Sequence, residues 1–407
     1  TNRLRDIRST LPTSRPAHRS FKKPPGGQKG SSALELTWIM AIRKIAVLGA
    51  GNGGCAAAAD LTLRGYEVRL YSRSESTLRP IVERGGIVLV EAGKEIFARP
   101  QLVTSNMAEA VGGAELIMIA APSSAHEGLT ASLTPHLRDG QIIFLNPGHT
   151  GGCLHLASVL RERGFKGKIR SCETVTLTYI CRLTEPARVE IYRRTTHLGC
   201  AAFPGKFTPE LVGEIGKIYP DIIAAANVLE TGLSNINAIM HPAGMIGNAG
   251  RIEEDGGDFC FYSEGITPAI ARLISAVDRE RLRIVNRLGL APLSFVEIFY
   301  QAGLTTEAAR ASRSVYQAIR ASAPNRTIKS PATLNHRYLN EDVGYGLVPM
   351  AEIGRLVGIE TPVIDALITI ASEINQTPYL TDGLTLKKMG LDGVKFKDLE
   401  ALLLEGF

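Results

Sequence analysis

Short, mostly apolar runs recur in the first half of the chain, at residues 45–48, 114–120 and 141–145. Continuous apolar runs of this length predict strands that are buried on both faces, as in a parallel sheet covered by helices. Turn residues follow each run, and segments with helical spacing follow the turns. This alternation predicts an α/β domain with an open parallel sheet.

After residue 207 the pattern changes to long segments in which apolar residues lie three or four positions apart, as in amphipathic helices. Thr267 and Pro268 favour a helix N-cap and first turn, which predicts a helix from there to about residue 288. A second helix is predicted over residues 362–374, and strand signals are scarce in this half. The predicted boundaries are therefore 41–207 for the α/β domain and 208–407 for a mostly α-helical C-terminal domain.

The first 40 residues differ from the rest in composition. They are rich in Ser, Pro and Gly and contain eight of the 46 basic residues but only two of the 40 acidic residues. We expect residues 1–40 to form a disordered basic arm. An organelle transit peptide and a tail that contacts nucleic acid or membrane are alternatives; a further interpretation is that translation starts at Met40. The remainder of the chain is neutral, so its charge predicts no nucleic-acid partner.

Membrane insertion is not expected, because no stretch approaches the roughly 18 uninterrupted apolar residues of a spanning helix. The six cysteines form no C-x-x-C pair and no cluster with histidine of the kind that binds metal. Reduced thiols fit a cytoplasmic protein, and no metal site is predicted.

A glycine-rich turn follows the first predicted strand. Gly49, Gly51 and Gly54 satisfy G-x-G-x-x-G between that strand and an Ala-rich helix over 55–63, and a second strand follows at Glu67–Tyr71. This placement predicts a dinucleotide-binding Rossmann domain in which Gly49 allows the turn, Gly51 lets the backbone approach the pyrophosphate, and Gly54 allows close helix packing. The residues expected to contact the cofactor here are Gly49, Gly51, Asn52, Gly53 and Gly54.

The end of the second strand bears on the choice of cofactor. An NAD-binding strand usually ends in an acid that binds the ribose 2′-hydroxyl, whereas this one ends Tyr71-Ser72-Arg73. A hydroxyl and a guanidinium can bind a 2′-phosphate. Ser72 and Arg73 therefore predict NADP, with NAD as the second choice, unless Arg73 is simply solvated.

Two loops follow later strands of the predicted sheet, at residues 121–126 and 146–151. Ligands of open α/β sheets bind beyond the carboxyl ends of the strands, so both loops should flank the nicotinamide. Pro122 is expected to contact the cofactor. His126 could do the same or could be a structural histidine satisfied within its loop.

Two passages of the second half contain candidate chemistry. Asn237 and His241 are four residues apart, and on a helix they share one face. The other passage, residues 336–349, combines Arg, Glu and Asp with a Gly-rich turn. A lone histidine is more often structural than catalytic, so the residues alone leave the role of His241 open.

From about residue 42 to the C-terminus, the chain resembles the opine dehydrogenases, the octopine/nopaline dehydrogenase family. The matching segments are GAGNGG at 49–54, APSSAH at 121–126, NPGHTGG at 146–152, CETVTLTYICR at 172–182, N-x-x-x-H-P at 237–242, HRYLNEDVGYGLVP at 336–349 and TP at 361–362. The resemblance implies an NAD(P)H-dependent enzyme that condenses the amine of an amino acid with a 2-oxo acid and reduces the imine to a secondary amine.

The resemblance also implies roles for individual residues. His241 would be the general acid/base, since histidine titrates near neutral pH, and Asp342 would bind its other ring nitrogen. Arg337 would bind a substrate carboxylate, and Asn237 would contact the substrate. An internal Arg337–Asp342 salt bridge is the structural alternative, and Glu341 is the second candidate partner for His241.

Other functions remain open on this scaffold. One is a 2-hydroxy acid or polyol-phosphate dehydrogenase, and another is a non-catalytic nucleotide-binding regulatory protein. The expected partners are a small-molecule amino acid and a 2-oxo acid, and the sequence leaves a homodimer open.

Overall fold

Twelve strands and eighteen α-helices form the part of the chain that the structure describes, residues 42–168 and 170–407 of a computed structural model. The predicted basic arm, residues 1–40, lies outside these residues. The strands are β1 (Lys44–Leu48), β2 (Glu67–Tyr71), β3 (Ile87–Glu91), β4 (Lys94–Ala98), β5 (Leu102–Thr104), β6 (Leu116–Ile119), β7 (Ile142–Leu145), β8 (Arg170–Thr174), β9 (Tyr179–Glu185), β10 (Arg188–Arg194), β11 (Leu198–Phe203) and β12 (Ile222–Ala224). The helices are α1 (Asn52–Leu63), α2 (Glu75–Arg84), α3 (Met107–Val111), α4 (His126–Leu133), α5 (Gly152–Glu162), α6 (Thr208–Ile218), α7 (Val228–Leu233), α8 (Ile236–Gly247), α9 (Ala249–Asp255), α10 (Pro268–Arg287), α11 (Phe295–Gln301), α12 (Glu307–Ala311), α13 (Val315–Arg320), α14 (Arg337–Asp342), α15 (Val348–Val357), α16 (Pro362–Asn375), α17 (Tyr379–Asp382) and α18 (Phe396–Glu405).

The larger sheet has the strand order β12-β11-β8-β7-β6-β1-β2-β5. The strands from β8 to β5 are parallel, while β11 runs antiparallel to β8 and β12 runs parallel to β11. The central strands are completely buried, as their continuous apolar sequences predict. The prediction of a Rossmann sheet followed by a mostly helical region is confirmed.

The larger sheet extends beyond the boundary predicted at residue 207. Helix α6 packs on β11 and β12, and β12 pairs with β11 at residues 222–224, within the stretch that we assigned to the helical domain. The boundary at 207 is therefore too early. A three-residue strand is too short to show a periodicity, so the sequence pattern gave no signal for β12.

A smaller sheet, with the order β4-β3-β10-β9, was not predicted. It packs against α1, which therefore lies between two sheets and is buried from Gly54 to Leu61. Strand β4 is mostly exposed and lacks a buried apolar run, which explains why its sequence resembles a loop. The alanines of α1 allow both sheets to approach this helix closely.

In the second half, α10 begins and ends as predicted to within one residue, and the Thr267 hydroxyl accepts a hydrogen bond from the Ile270 amide at its N-terminus. Helix α16 spans the predicted segment 362–374 and continues for one more residue. Helix α8 packs against α10, α14 and α16, and this packing positions His241. In residues 42–168 and 170–407, no helix combines the length and the apolar character needed to cross a bilayer.

Candidate active site

The glycine turn joins β1 to α1 and leaves space beside its backbone. Gly49 has φ +120°, and its amide donates to the Tyr71 carbonyl at 2.9 Å. A Cβ atom on Gly49 would collide with the Ala120 carbonyl, and one on Gly54 would collide with the Gly49 carbonyl. A Cβ atom on Gly51 would meet nothing within 4 Å. The turn therefore has the open approach that a pyrophosphate needs, next to the N-terminus of α1.

Two neighbouring residues of the turn have packing roles. The Asn52 side-chain oxygen accepts from the Leu183 amide at 2.9 Å, which attaches α1 to β9. A Cβ atom on Gly53 would approach the Leu177 side chain. The Asn52 side chain is thus occupied within the protein, and its backbone N–H at the helix start is the group left for a ligand.

A cleft begins at the glycine turn and extends to the end of β2. Its lining includes Gly49, Ser72, Arg73 and Ala125. Arg73 is exposed, and its guanidinium makes no hydrogen bond to any described residue. The Ser72 hydroxyl accepts from the Ser74 amide at 3.3 Å. The cleft connects the open glycine turn to the Arg73 guanidinium, which has no described hydrogen-bond partner. These residues therefore fit the phosphates of a bound dinucleotide.

The loop after β6 contains Pro122 and His126. Pro122 is exposed and precedes a 3-10 turn over Ser123–Ala125. His126 is buried, and its Nε2 lies 3.1 Å from the Ala121 carbonyl. Burial and the neighbouring His149 lower the pKa of His126 to about 4, so its ring is neutral at physiological pH. The structure therefore favours the structural interpretation of His126.

His241 lies on α8 between two oxygen partners. Its Nδ1 is 2.8 Å from Asp342 Oδ2, and its Nε2 is 2.9 Å from the Tyr262 hydroxyl. Both His241 and Asp342 are buried. The Asp342–His241 contact is the one that the family resemblance implied. The second carboxylate oxygen of Asp342 has no hydrogen-bond partner among the described residues.

Two tyrosines that the sequence analysis did not single out complete this cluster. The Tyr338 ring stacks on the His241 ring, with centroids 3.7 Å apart and planes at 10°. The Tyr338 and Tyr262 hydroxyl oxygens are 3.2 Å apart. Tyr338 lies within the HRYLNED segment, where its place next to Arg337 was a usable signal. Tyr262 lies in a π-helical turn, Phe261–Gly265, far from the recognised segments.

Arg337 does not pair with Asp342. Its Nε and Nη2 atoms each lie 2.8 Å from Glu341 Oε2, one turn along α14. Glu341 also accepts from the Ser123 amide at 2.8 Å and lies 3.1 Å from His149 Nε2. The two alternatives, an Arg337–Asp342 salt bridge and a Glu341–His241 pair, are thus both incorrect. Arg337 pairs with Glu341 instead, and Glu341 faces the loops at the carboxyl edge of the sheet.

Glu341 and His149 form an ion pair although both side chains are buried. Burial opposes ionisation of Glu341, yet the charges of His149 and Arg337 hold its pKa well below the usual range. Burial likewise disfavours the charged form of His149, but the carboxylate of Glu341 raises the pKa of that histidine. An ion pair therefore connects the loop after β7 to α14.

A second buried acid, Glu173, lies under the same loop at the end of β8. It accepts hydrogen bonds from the Cys153 amide and the Thr231 hydroxyl, each at 2.6 Å. Burial raises its pKa to about 7 despite these donors. Glu173 lies in the matched segment 172–182 but had no predicted role.

Asn237 lines a different cavity, one helical turn before His241. This cavity lies between the sheet edge and α11, and its lining includes Val175, Leu198, Glu230 and Ile298. It is walled mostly by apolar and uncharged polar side chains. Asn237 thus lines a cavity that His241 does not line, and it makes no hydrogen bond to the described residues of the histidine cluster.

The comparisons agree with this architecture. Residues 224–375 match the model of the family described as NAD/NADP octopine/nopaline dehydrogenase, alpha-helical domain, and residues 44–158 match the NAD-dependent glycerol-3-phosphate dehydrogenase N-terminus. An opine dehydrogenase of Arthrobacter sp. is 36% identical over 349 residues, which cover 86% of this chain and 95% of that protein. An octopine dehydrogenase of Pecten maximus is 26% identical over 84% of this chain and 92% of its own.

Solved structures show the same fold. An octopine dehydrogenase with NADH and L-arginine has a TM-score of 0.70 at 20% identity, covering 89% of this chain and 98% of that one. A yersinopine dehydrogenase with NADP+ has a TM-score of 0.68 at 14% identity, covering 86% of this chain and 97% of that one. Taken with the extended similarity to the Arthrobacter protein, the sequence and the fold show that the chain belongs to the octopine/nopaline dehydrogenase family of NAD(P)-dependent oxidoreductases.

Proposed function

We propose that this enzyme, which reductively condenses an amino acid with a 2-oxo acid, uses NADPH as the hydride donor and His241 as the group that exchanges the proton. The amine and the ketone first lose water to form an imine. A hydride then adds to the imine carbon, and a proton adds to the nitrogen, which gives a secondary amine. NADPH supplies the hydride when it is bound, and the protein must supply the proton.

One observation carries the assignment of the proton donor. Consecutive residues of α14 have two different partners: Asp342 contacts His241, and Glu341 contacts Ser123 and His149. Ser123 and His149 lie in the two loops at the carboxyl edge of the sheet, where the nicotinamide of a Rossmann domain binds. Helix α14 therefore supports a histidine–carboxylate pair next to the place of hydride transfer.

The remaining cofactor- and substrate-binding roles are assigned to groups that can still accept a ligand. The glycine turn and the N-terminus of α1 would hold the pyrophosphate, while Ser72 and Arg73 would hold the 2′-phosphate. Pro122 would border the nicotinamide. The Arg337 side chain is half exposed beyond its pair with Glu341, so its guanidinium would bind a substrate carboxylate. Asn237 would contact the amino acid substrate from its cavity.

A substrate panel with two variants tests this function. Each amino acid is incubated with pyruvate and NADPH, and both NADPH oxidation and the secondary amine are measured. We expect His241→Ala to lower kcat about 10²–10⁴-fold, the usual scale of general acid–base catalysis, while the affinity for NADPH stays unchanged. Asp342→Asn should also lower kcat, because the amide cannot orient the imidazole in the same way.

Two outcomes would contradict the proposal. Equal NADPH oxidation with the oxo acid alone would indicate a 2-hydroxy acid dehydrogenase. A near-wild-type rate for His241→Ala would require another proton donor. A cytoplasmic location and a homodimer are further expectations, to be checked by fractionation and by the mass of the enzyme in solution.

A further inference from the structure

The ring nitrogen of His241 that a substrate would be expected to contact is already occupied by a protein group. Nδ1 faces Asp342, and Nε2 is 2.9 Å from the Tyr262 hydroxyl. Tyr262 is 5% exposed and His241 is 4% exposed, so both side chains are buried. Tyr338, whose hydroxyl is 3.2 Å from that of Tyr262, is the more accessible member of the three.

The direction of these hydrogen bonds depends on the charge of His241. The Asp342 carboxylate can only accept, so Nδ1 carries a proton and donates it. In the neutral imidazole, Nε2 then accepts from the Tyr262 hydroxyl, which in turn accepts from Tyr338. Burial raises the pKa of both tyrosines, so each hydroxyl keeps its proton near neutral pH.

A second proton on His241, at Nε2, reverses the direction of these hydrogen bonds. Nε2–H then donates to Tyr262, Tyr262 donates to Tyr338, and the Tyr338 hydroxyl has its proton free for a bound acceptor. The stacking of the Tyr338 ring on the imidazole, 3.7 Å between centroids, fixes the position of that hydroxyl. The neighbouring charged and titratable groups are Asp342, Arg337 and His336, from α14 and its N-cap, and Arg182, from β9.

We propose that Tyr262 and Tyr338 form a proton relay, in which the Tyr338 hydroxyl contacts the substrate and Tyr262 connects it to His241. As the imine nitrogen takes the Tyr338 proton, Tyr338 takes the proton of Tyr262, and Tyr262 takes the Nε2 proton of His241. One proton leaves the imidazolium, one reaches the nitrogen, and both tyrosines end as neutral phenols. Tyr338 is thereby a catalytic residue and Tyr262 a positioning residue. This inference rests on the proposed role of His241.

Single hydroxyl deletions test the relay in the full-length enzyme. Tyr262→Phe and Tyr338→Phe keep the aromatic rings, and Tyr316→Phe on α13 is the matched control outside the cluster. We expect both cluster variants to lower kcat about tenfold or more, within the range of acid–base effects, with NADPH affinity and Tm near the wild-type values. The solvent deuterium isotope effect on kcat should rise in both variants. The isotope effect of 4-deuterated NADPH should fall, because proton delivery becomes slower than hydride transfer.

The results separate the relay from the role of His241. If His241→Ala is slow but both tyrosine variants keep the wild-type kcat and isotope effects, the substrate contacts Nε2 directly and the relay is wrong. If His241→Ala is as fast as wild type, the proposed role of His241 fails first. A loss of rate in the tyrosine variants with unchanged isotope effects would indicate a purely structural role and would also overturn the relay.

Discussion

Arg73 lies where many NAD-binding strands end in an acid, and its guanidinium is free of described partners. Arg73→Ala should weaken NADPH binding by about 1–3 kcal/mol, the scale of a hydrogen bond to a charged group, and leave NADH binding nearly unchanged. Fluorescence titration with each cofactor measures both constants. Arg79→Ala, which removes an exposed charge from α2 outside the cleft, is the control. Tighter binding of NADH than NADPH by the wild type would refute the NADP assignment.

The raised pKa of Glu173 predicts how the stability of the protein changes with pH. Its pKa is about 7 in the folded chain against an ordinary value of 4.5, so the folded state binds the proton more tightly than the unfolded state. Stability from this group is therefore present at low pH and is lost as the pH rises from about 4.5 to about 7. Glu173→Gln mimics the neutral acid, and its amide can donate to the Thr231 hydroxyl while that hydroxyl donates to the Val228 carbonyl.

The variant should thus gain stability over wild type only at higher pH. The difference should approach about 3 kcal/mol at pH 8 and nearly vanish at pH 4.5, since one pKa unit corresponds to about 1.4 kcal/mol. Urea unfolding of both proteins at the two pH values measures the difference. An equal difference at both pH values would mean that folding does not raise the pKa of Glu173.

At the scale of single elements, substitutions at two positions of the glycine turn should affect stability and cofactor binding separately. Gly54→Ala would force α1 away from β1, because the new Cβ would collide with the Gly49 carbonyl. We expect it to lower Tm clearly, since overpacking costs about 1–3 kcal/mol. Gly51→Ala meets open space and should keep the wild-type Tm while weakening NADPH, because its methyl group would occupy the approach of the pyrophosphate. Unchanged NADPH affinity in Gly51→Ala would place the phosphates elsewhere.

The elements also show what the sequence could and could not predict. Buried strands such as β6 and β7 were predicted because both faces are covered and every side chain is apolar. Strand β4 has mostly exposed side chains, and β12 has only three residues, so neither produces a periodicity. The local pattern of apolar and polar residues therefore indicates strands that are buried along their whole length. It gives no signal for strands that form only because they pair with a neighbouring strand.

The same limit applies to the site. The Asp342–His241 contact followed from a family resemblance, because no spacing relates residues 101 positions apart. Glu341 and His149 both lie in recognised segments, yet their pairing depends on how α14 faces the sheet edge. Tyr262 reaches His241 from a π-helical turn whose sequence carries no signal for its position. Residue types were predictable here, and most of their partners were not.

At the scale of the molecule, Glu341 connects the nucleotide-binding region to the helical region. Glu341→Gln should destabilise the enzyme by about 3–5 kcal/mol at neutral pH, because His149 and Arg337 lose their shared carboxylate in a buried site. The lowered pKa of Glu341 means that its contribution is lost as the pH falls below about 4.5, so the two proteins should converge in acid. Thermal unfolding across this range is the measurement, with the exposed Glu400→Gln as control. A constant difference down to strongly acidic pH would contradict this linkage.

Helix α1, enclosed by two sheets, has a consequence for amide hydrogen exchange. Its central amides, from Ala56 to Leu61, are shielded on both sides and should exchange only when the whole molecule unfolds. The amides of Gly53 and Gly54 have no acceptor within the helix, because the first intrahelical bond runs from the Cys55 amide to the Gly51 carbonyl. Because Gly54 is buried, the partly exposed Gly53 is the residue whose amide should exchange rapidly until a cofactor phosphate accepts from it. Amide exchange at the centre of α1 would therefore measure global unfolding, and amide exchange at its first turn would measure whether a nucleotide is bound.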